Sequence, residues 1–317
     1  MRGFRGVLLT LLVTLIWEGS ATAQDFPTKP IDLVLPFGPG GSHDLTARAV
    51  ASVAHQYLGQ PLLVVLKPGG GGAVGSQQVI RSKPDGYTLL FGGSGPNTTF
   101  PLVQKAPVGP DQFTPVARIN YSATLFTVRA DAPWKSLREM VEYAKKNPGK
   151  LNFANTGTWG VADLTMRLLA RAAGFDYNNI PYDGGGPATL AVLGGHADAT
   201  VGFSAQTLPQ VAAGKMRVLA VTDVRRLRDF SNVPTVREEG YDVVFTMWRA
   251  VLAPKGTPPP IVEKLEAAFK KASEDPSFQA LIRSLGDDVQ FQGSKEFAET
   301  WRQEWEQHAR LVAATQK

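Results

Sequence analysis

From Pro30 onward the chain alternates short apolar runs with stretches of helical period. Ile31 to Phe37 is a continuous apolar run, and after it Leu45, Ala49, Val53 and Tyr57 recur every four residues, the spacing of one helix face. Ser42 stands where a helix cap is expected. Pro61 to Leu66 predicts a strand, Ala73 to Ser82 a helix and Tyr87 to Gly92 a strand. The pattern then restarts. Ser136 to Glu139 forms a capping box ahead of a helix stopped at Asn147-Pro148-Gly149. Strands are expected at 151–154, 179–182, 199–203 and 216–221, with helices at 161–173 and 187–193 and a short helix ending at Gly214. Strands alternating with helices argue for sheets covered on both faces. Three helices close the chain, opened by Thr257-Pro258 and by Asp275-Pro276, the last with Phe297, Trp301, Trp305 and Ala309 on a core-facing stripe.

The second series is predicted to be an insertion. The Pro/Gly-rich segment 253–260 leads back onto the first unit, and extended segments near 124–128 and 245–252 join the two. This gives an α/β protein of two lobes, each a mixed, mostly parallel sheet flanked by helices. Residues 24–124 with 250–317 form lobe 1 and 125–249 form lobe 2. Such lobes enclose a cleft.

The first residues have another purpose. Arg2 and Arg5 precede an apolar run from Val7 to Trp17, followed by Ala21-Thr22-Ala23. This is the order of a cleavable signal peptide, 1–23, and the run is too short to span a bilayer. Export to the periplasm with cleavage after Ala23 is expected. With no cysteine in 317 residues, neither a disulfide nor a lipoprotein anchor is available. The net charge of +5 is scattered apart from Arg225-Arg226-Leu227-Arg228 and Lys270-Lys271, which argues against nucleic acid as a partner and suits small acidic molecules.

Glycine loops carry the candidate chemistry. Gly70 to Gly75 matches G-x-G-x-x-G, but the acidic residue that would hold a ribose is missing after the next strand, which ends Phe91-Gly92-Gly93. No Gly-Lys-Ser/Thr follows any loop, so a P-loop is excluded. Hydrolysis through Ser42 with His43 as base is an alternative, weakened by the absence of a G-x-S-x-G elbow. His55, His196 and His308 come with no zinc-ligand spacing, and neither metal nor cofactor is expected. The reading that needs only backbone is anion binding at helix starts, where free N–H groups and the helix dipole hold a carboxylate. Loops at 38–44, 69–72, 155–160 and 183–187 fit it, although 69–72 fits a tight turn equally well.

Eight segments taken in order resemble one family. They are "PTKPIDLVLPFGPGGSHDLTAR" from Pro27, "KPGGGGAVG" from Lys67, "KPDGYTLLFG" from Lys83, "NPGKLNFANTG" from Asn147, "IPYDGGGPATLAVLGGHAD" from Ile180, "AAGKMRVLAVT" from Ala212, "VPTVREEG" from Val233 and "LAPKGTP" from Leu252. Together they resemble the substrate-binding proteins of tripartite tricarboxylate transporters, the Bug family of periplasmic receptors.

The resemblance implies a two-lobed Venus-flytrap fold and a non-enzymatic, monomeric receptor that delivers a small carboxylate to permease subunits in the membrane. A receptor serving a membrane sensor is the alternative. It also implies a ligand site lined by Phe37, Gly38, Gly40, Gly41 and Ser42, by Gly93 and Ser94, by Asn155, Thr156, Gly157, Thr158, Trp159 and Gly160, by Tyr182, Asp183 and Gly184, and by Ser204. Asp44 and Arg48 are expected to pair at i, i+4 on the helix rather than touch ligand. Trp159 stands where many relatives carry other residues, and either places an indole beside a flat ligand or packs between the lobes. Asp183 either receives a ligand donor or caps the helix after it.

Overall fold

A computed structural model describes residues 26–315. The expected signal peptide lies outside them. Among the described residues no helix is long and apolar enough to cross a membrane.

The first apolar run folds as β1 (Ile31–Leu35), followed by α1 (Ser42–Leu58), β2 (Leu62–Leu66), α2 (Ala73–Ile80) and β3 (Thr88–Gly93). β2 and β3 flank β1 in parallel. A π-helical turn, Gly95–Thr99, leads into α3 (Phe100–Gln104). The long β4 (Phe113–Ala123) then carries the chain across to β5 (Leu125–Arg129) in a second sheet. That sheet is completed by α4 (Leu137–Lys146), β6 (Asn152–Asn155), α5 (Val161–Ala173), β7 (Asn178–Pro181), α6 (Gly185–Leu193), β8 (Ala199–Gly202), α7 (Ser204–Ala212) and β9 (Met216–Val221).

The chain returns along β10 (Thr246–Pro254), antiparallel to both β3 and β4, and ends with α8 (Pro259–Glu274), α9 (Pro276–Ser284), β11 (Asp288–Gly293) and α10 (Ser294–Thr315). The strand orders are β11-β4-β10-β3-β1-β2 and β7-β6-β8-β5-β9. Among the described strands, β1 pairs in parallel with β2 and β3, and β6 with β7 and β8. The strands that connect the two sheets pair antiparallel.

Each sheet has its own core. Leu33, Leu35, Val50 and Ala54 pack with Leu265 and Phe269 in one, and Phe126, Phe153, Met140, Leu169 and Val201 pack in the other. The buried face of α1 takes in Ala49 and Val53 of the expected stripe and extends to Ala47, Val50, Ala54 and Leu58. Tyr57 stands outside and donates to Asp275 at 2.7 Å. On α10, Phe297 and Trp301 are buried, stack on each other and meet Trp248 of β10 edge to face, binding the last helix to the connecting strand.

Candidate functional site

Parallel strands of open α/β sheets end in loops that open helices, and here three such helix starts converge on one small cavity. It is lined by Phe37, Gly38, Gly41, Ser42 and His43 ahead of and within α1, by Gly95 and Pro96 of the π-turn, by Thr156, Gly160 and Val161 at α5, by Gly185 at α6, and by Phe203 and Met247. About 20 Å³ is open inside, room for about one water molecule.

The lobes are in contact around this cavity. The Gly38 amide donates to the Asp183 carbonyl at 2.8 Å, and the Ser42 amide donates to Gln206 Oε1 at 2.9 Å. Glycine makes the approach possible, because a Cβ on Gly186 would lie 2.1 Å from the Pro39 carbonyl. The loop at Gly69 to Gly72 also has a defined place. A Cβ on Gly157 would lie 3.3 Å from Gly71 Cα, so this loop meets the 155–160 loop across the cleft rather than lining the cavity.

Each lobe fixes its loop with an aspartate. Asp44 Oδ2 accepts from the Gly40 amide at 2.9 Å while Oδ1 accepts from Arg48 Nε at 2.8 Å. Asp163 repeats this with the Trp159 amide at 2.7 Å and Arg167 Nε at 3.0 Å, and adds Asn179 Nδ2 at 2.9 Å. The i, i+4 pair Asp44–Arg48 thus forms as expected, and Asp44 also shapes the turn. Among the described residues, the amides of His43 and Asp44 at α1, of Val161, Ala162 and Asp163 at α5, and of Gly185 and Gly186 at α6 take no protein acceptor. These are the first-turn donors that an anion finds at a helix start.

Of the expected site residues, Phe37, Gly38, Gly41, Ser42, Thr156 and Gly160 line the cavity. Several of the others stand behind it. Gly93 donates to Asn97 Oδ1 at 3.2 Å and lies against His43, Ser94 Oγ accepts from the Trp248 amide at 3.2 Å, and Ser204 opens α7 against Gly286. Asn155 accepts from the Gly157 amide at 2.7 Å and its carbonyl takes the Tyr182 amide at 3.1 Å. Gly184 sits at φ 116°, left-handed backbone that disfavours a side chain. Thr158 is exposed.

Three local expectations are corrected. Ser42 does not cap α1. Gly41 is the N-cap, and the serine hydroxyl is taken up by the Arg249 guanidinium. Asp183 does not cap α6, whose N-cap is Gly184 with no side-chain bond, and it contributes its carbonyl instead. Trp159, at φ 60°, does not line the cavity. Its ring covers the Arg167 guanidinium at 4.1 Å within its own lobe.

Sequence reasoning missed Gly95, Pro96, Val161, Phe203, Met247 and His43 as lining groups, and the roles of Gln206 and Arg249. Burial, then the Arg249 charge, hold the His43 imidazole well below its usual range, while the Gly92 backbone opposes this. Arg249 is fully buried and bonded through Nη1 to Asp287 at 3.0 Å, Ser122 Oγ at 2.6 Å and Asn120 Oδ1 at 3.2 Å. Ser42 Oγ faces Arg249, and among the described residues His43 Nε2 has no hydrogen-bond partner, so no serine–histidine couple of the hydrolytic kind is assembled.

The family of tripartite tricarboxylate transporter receptors (TctC) matches residues 46–316. Among solved structures, the periplasmic binding protein BugD is 32% identical, with 92% of this chain and 98% of that one covered and a TM-score of 0.88. MatC of Rhodopseudomonas palustris with bound malate is 30% identical over 90% and 100% of the two chains, at 0.87. Another R. palustris protein, with adipate, is 27% identical over 92% and 98%, also at 0.87. The chain therefore belongs to the tripartite tricarboxylate transporter receptor family, whose members are periplasmic substrate-binding proteins.

Proposed function

We propose that this receptor captures a small organic carboxylate between its lobes and delivers it to the membrane subunits of a tripartite tricarboxylate-type transporter, acting as a monomer in the periplasm. The observation that carries the reading is the convergence of the α1, α5 and α6 starts, from both lobes, on one cavity whose facing amides lack protein acceptors. A carboxylate there gains several charge-assisted hydrogen bonds, each contributing about 1.5–3 kcal/mol, which offset the cost of ordering and reach micromolar affinity near 8 kcal/mol. The malate and adipate held by its structural relatives are acids of this kind.

The present cavity is far below the roughly 300–1,000 Å³ of ligand pockets. Entry of such an acid therefore requires the Gly38–Asp183 contact to part and the lobes to close again around the ligand, with β4–β5 and β10 as the connections that flex. A thermal-shift screen against mono-, di- and tricarboxylates, amino acids and the corresponding amides tests this. A ligand at a hundred times its dissociation constant adds about 2.7 kcal/mol to the stability of the folded state. Shifts with acids and none with their amides support the reading, and shifts with neutral or cationic compounds alone refute it.

A further inference from the structure

Behind Ser42, which lines the cavity, stand two side chains with donors to offer, Arg249 and Gln206. Arg249 has only donors to offer. Its Nη2 gives a hydrogen bond to the Ser42 hydroxyl, so Ser42 accepts there and keeps its own proton to give. Gln206, on α7 of the other lobe, accepts the Ser42 amide through Oε1 at 2.9 Å. An N–H is not received by an NH₂ group, so this bond fixes the orientation of the side-chain amide. Nε2 is thereby turned the other way, against Gly185 and Gly202.

There it takes no protein partner, although Gln206 is only 6% exposed. Gly185 itself lines the cavity, and a Cβ on it would lie 2.5 Å from Gln206 Nε2. Arg249 Nε is buried without a partner as well. Buried donors are ordinarily satisfied, and a cluster that is not marks a place for an acceptor from outside.

We propose that Gln206 is a specificity-determining ligand contact, whose Nε2 together with the Ser42 hydroxyl grips the oxygens of an ionised carboxylate. This rests on the reading of the cleft as a carboxylate receptor and adds the side chains that discriminate. An acceptor-only end satisfies both donors. A primary amide or an ammonium turns an N–H toward them and leaves hydrogen bonds unmade. Ser42 belongs to α1 and Gln206 to α7, so the pair is assembled only when the lobes meet, and recognition of the acid is coupled to closure.

The test is calorimetric titration of the protein and its Gln206→Glu, Gln206→Met and Ser42→Ala variants with succinate, malate and adipate and with their diamides. The wild type is expected to prefer at least one diacid over its diamide by tenfold or more. Gln206→Glu keeps an oxygen for the Ser42 amide but replaces the donor with a charged acceptor. It should lose at least a hundredfold in diacid affinity and the preference with it. Gln206→Met and Ser42→Ala, which remove a donor without adding charge, should each lose about tenfold, and they decide the matter if Gln206→Glu does not fold. Wild-type binding of diacids with Gln206→Glu and Gln206→Met within threefold of it overturns the role of Gln206 and leaves the receptor reading standing. Failure of the wild type to bind any of the acids overturns both.

Discussion

The Gly38 amide of one lobe donates to the Asp183 carbonyl of the other at 2.8 Å, so the two loops that flank the cavity are hydrogen-bonded to each other through backbone alone. Such a contact depends on the lobes approaching without side chains between them. Gly186 is the tightest point. A Cβ there would lie 2.1 Å from the Pro39 carbonyl, and it sits in the first turn of α6 where alanine suits the backbone. Gly186→Ala should therefore spare α6 itself but part the lobe contact made without ligand, lowering the ligand-free melting temperature by about 2–4 °C. It should weaken carboxylate binding by at least about a hundredfold, or ~2.7 kcal/mol, by holding the lobes apart.

The aspartates that hold the two loops differ in their surroundings. Asp163 is fully buried and serves the Trp159 amide, Arg167 and Asn179, whereas the Asp44 partners are the Gly40 amide and the half-exposed Arg48. Asp163→Ala should destabilise the protein by about 2–3 kcal/mol, because it strands buried donors, and Asp44→Ala by about 1–2 kcal/mol. Urea denaturation midpoints give both values.

The last helix carries two buried-end titratable groups of opposite linkage against the π-turn. Glu304 accepts from Trp248 Nε1 at 2.7 Å and pairs with Thr98 Oγ1 at 3.1 Å, and desolvation pushes its carboxyl up to about 7. His308 faces Thr99 Oγ1 at 3.1 Å, and desolvation lowers its imidazole to about 4. Between its unfolded value near 4.5 and about 7, Glu304 binds more protons in the folded state, so its contribution to stability falls as pH rises. Between about 4 and 6.5, His308 binds fewer protons folded, so its contribution rises with pH. The two nearly cancel in the wild type between roughly pH 4.5 and 6.5. Relative to wild type, Glu304→Gln should gain about 1–2 kcal/mol over that window and His308→Gln should lose as much, measured by denaturant titration at each pH.

Trp159 provides a test in the negative. Its ring lies on Arg167 outside the cavity, so Trp159→Ala should change carboxylate affinity by less than about threefold, well under 1 kcal/mol. Its backbone, at φ 60°, is in the region where a Cβ costs about 1–2 kcal/mol. Trp159→Gly should therefore be the more stable of the two variants by about 1 kcal/mol.

Local patterning made most of the fold legible. Helix 161–173 and strand 216–221 coincide with α5 and β9, because strong periodicity and a glycine stop bound the former and a basic turn and apolar run the latter. β11 was not anticipated, since Asp288–Gly293 alternates over too few residues to announce an edge strand, and its pairing with β4 is long-range. The π-turn at Gly95–Thr99 reads as loop because glycine, proline and asparagine dominate it. It is helical here because Asn97 ties it to Gly93, Ser76 and Val108.

At the site, glycine loops marked where helices start. They did not reveal the side chains behind them. Gln206 reaches Ser42 across 164 positions and Arg249 across 207, and no local signal encodes such meetings. Ser42 is not a cap for the same reason, since its hydroxyl is claimed by a distant arginine.

The central claim is that the lobes close on an acid through backbone and paired donors. Calorimetric titration of the wild-type protein with the diacid that gives the largest thermal shift, and with its diamide, tests it most directly. The account predicts one-site binding of the diacid at micromolar affinity or better, with the diamide at least tenfold weaker. Equal affinity for acid and amide, or binding of the amide alone, would contradict it.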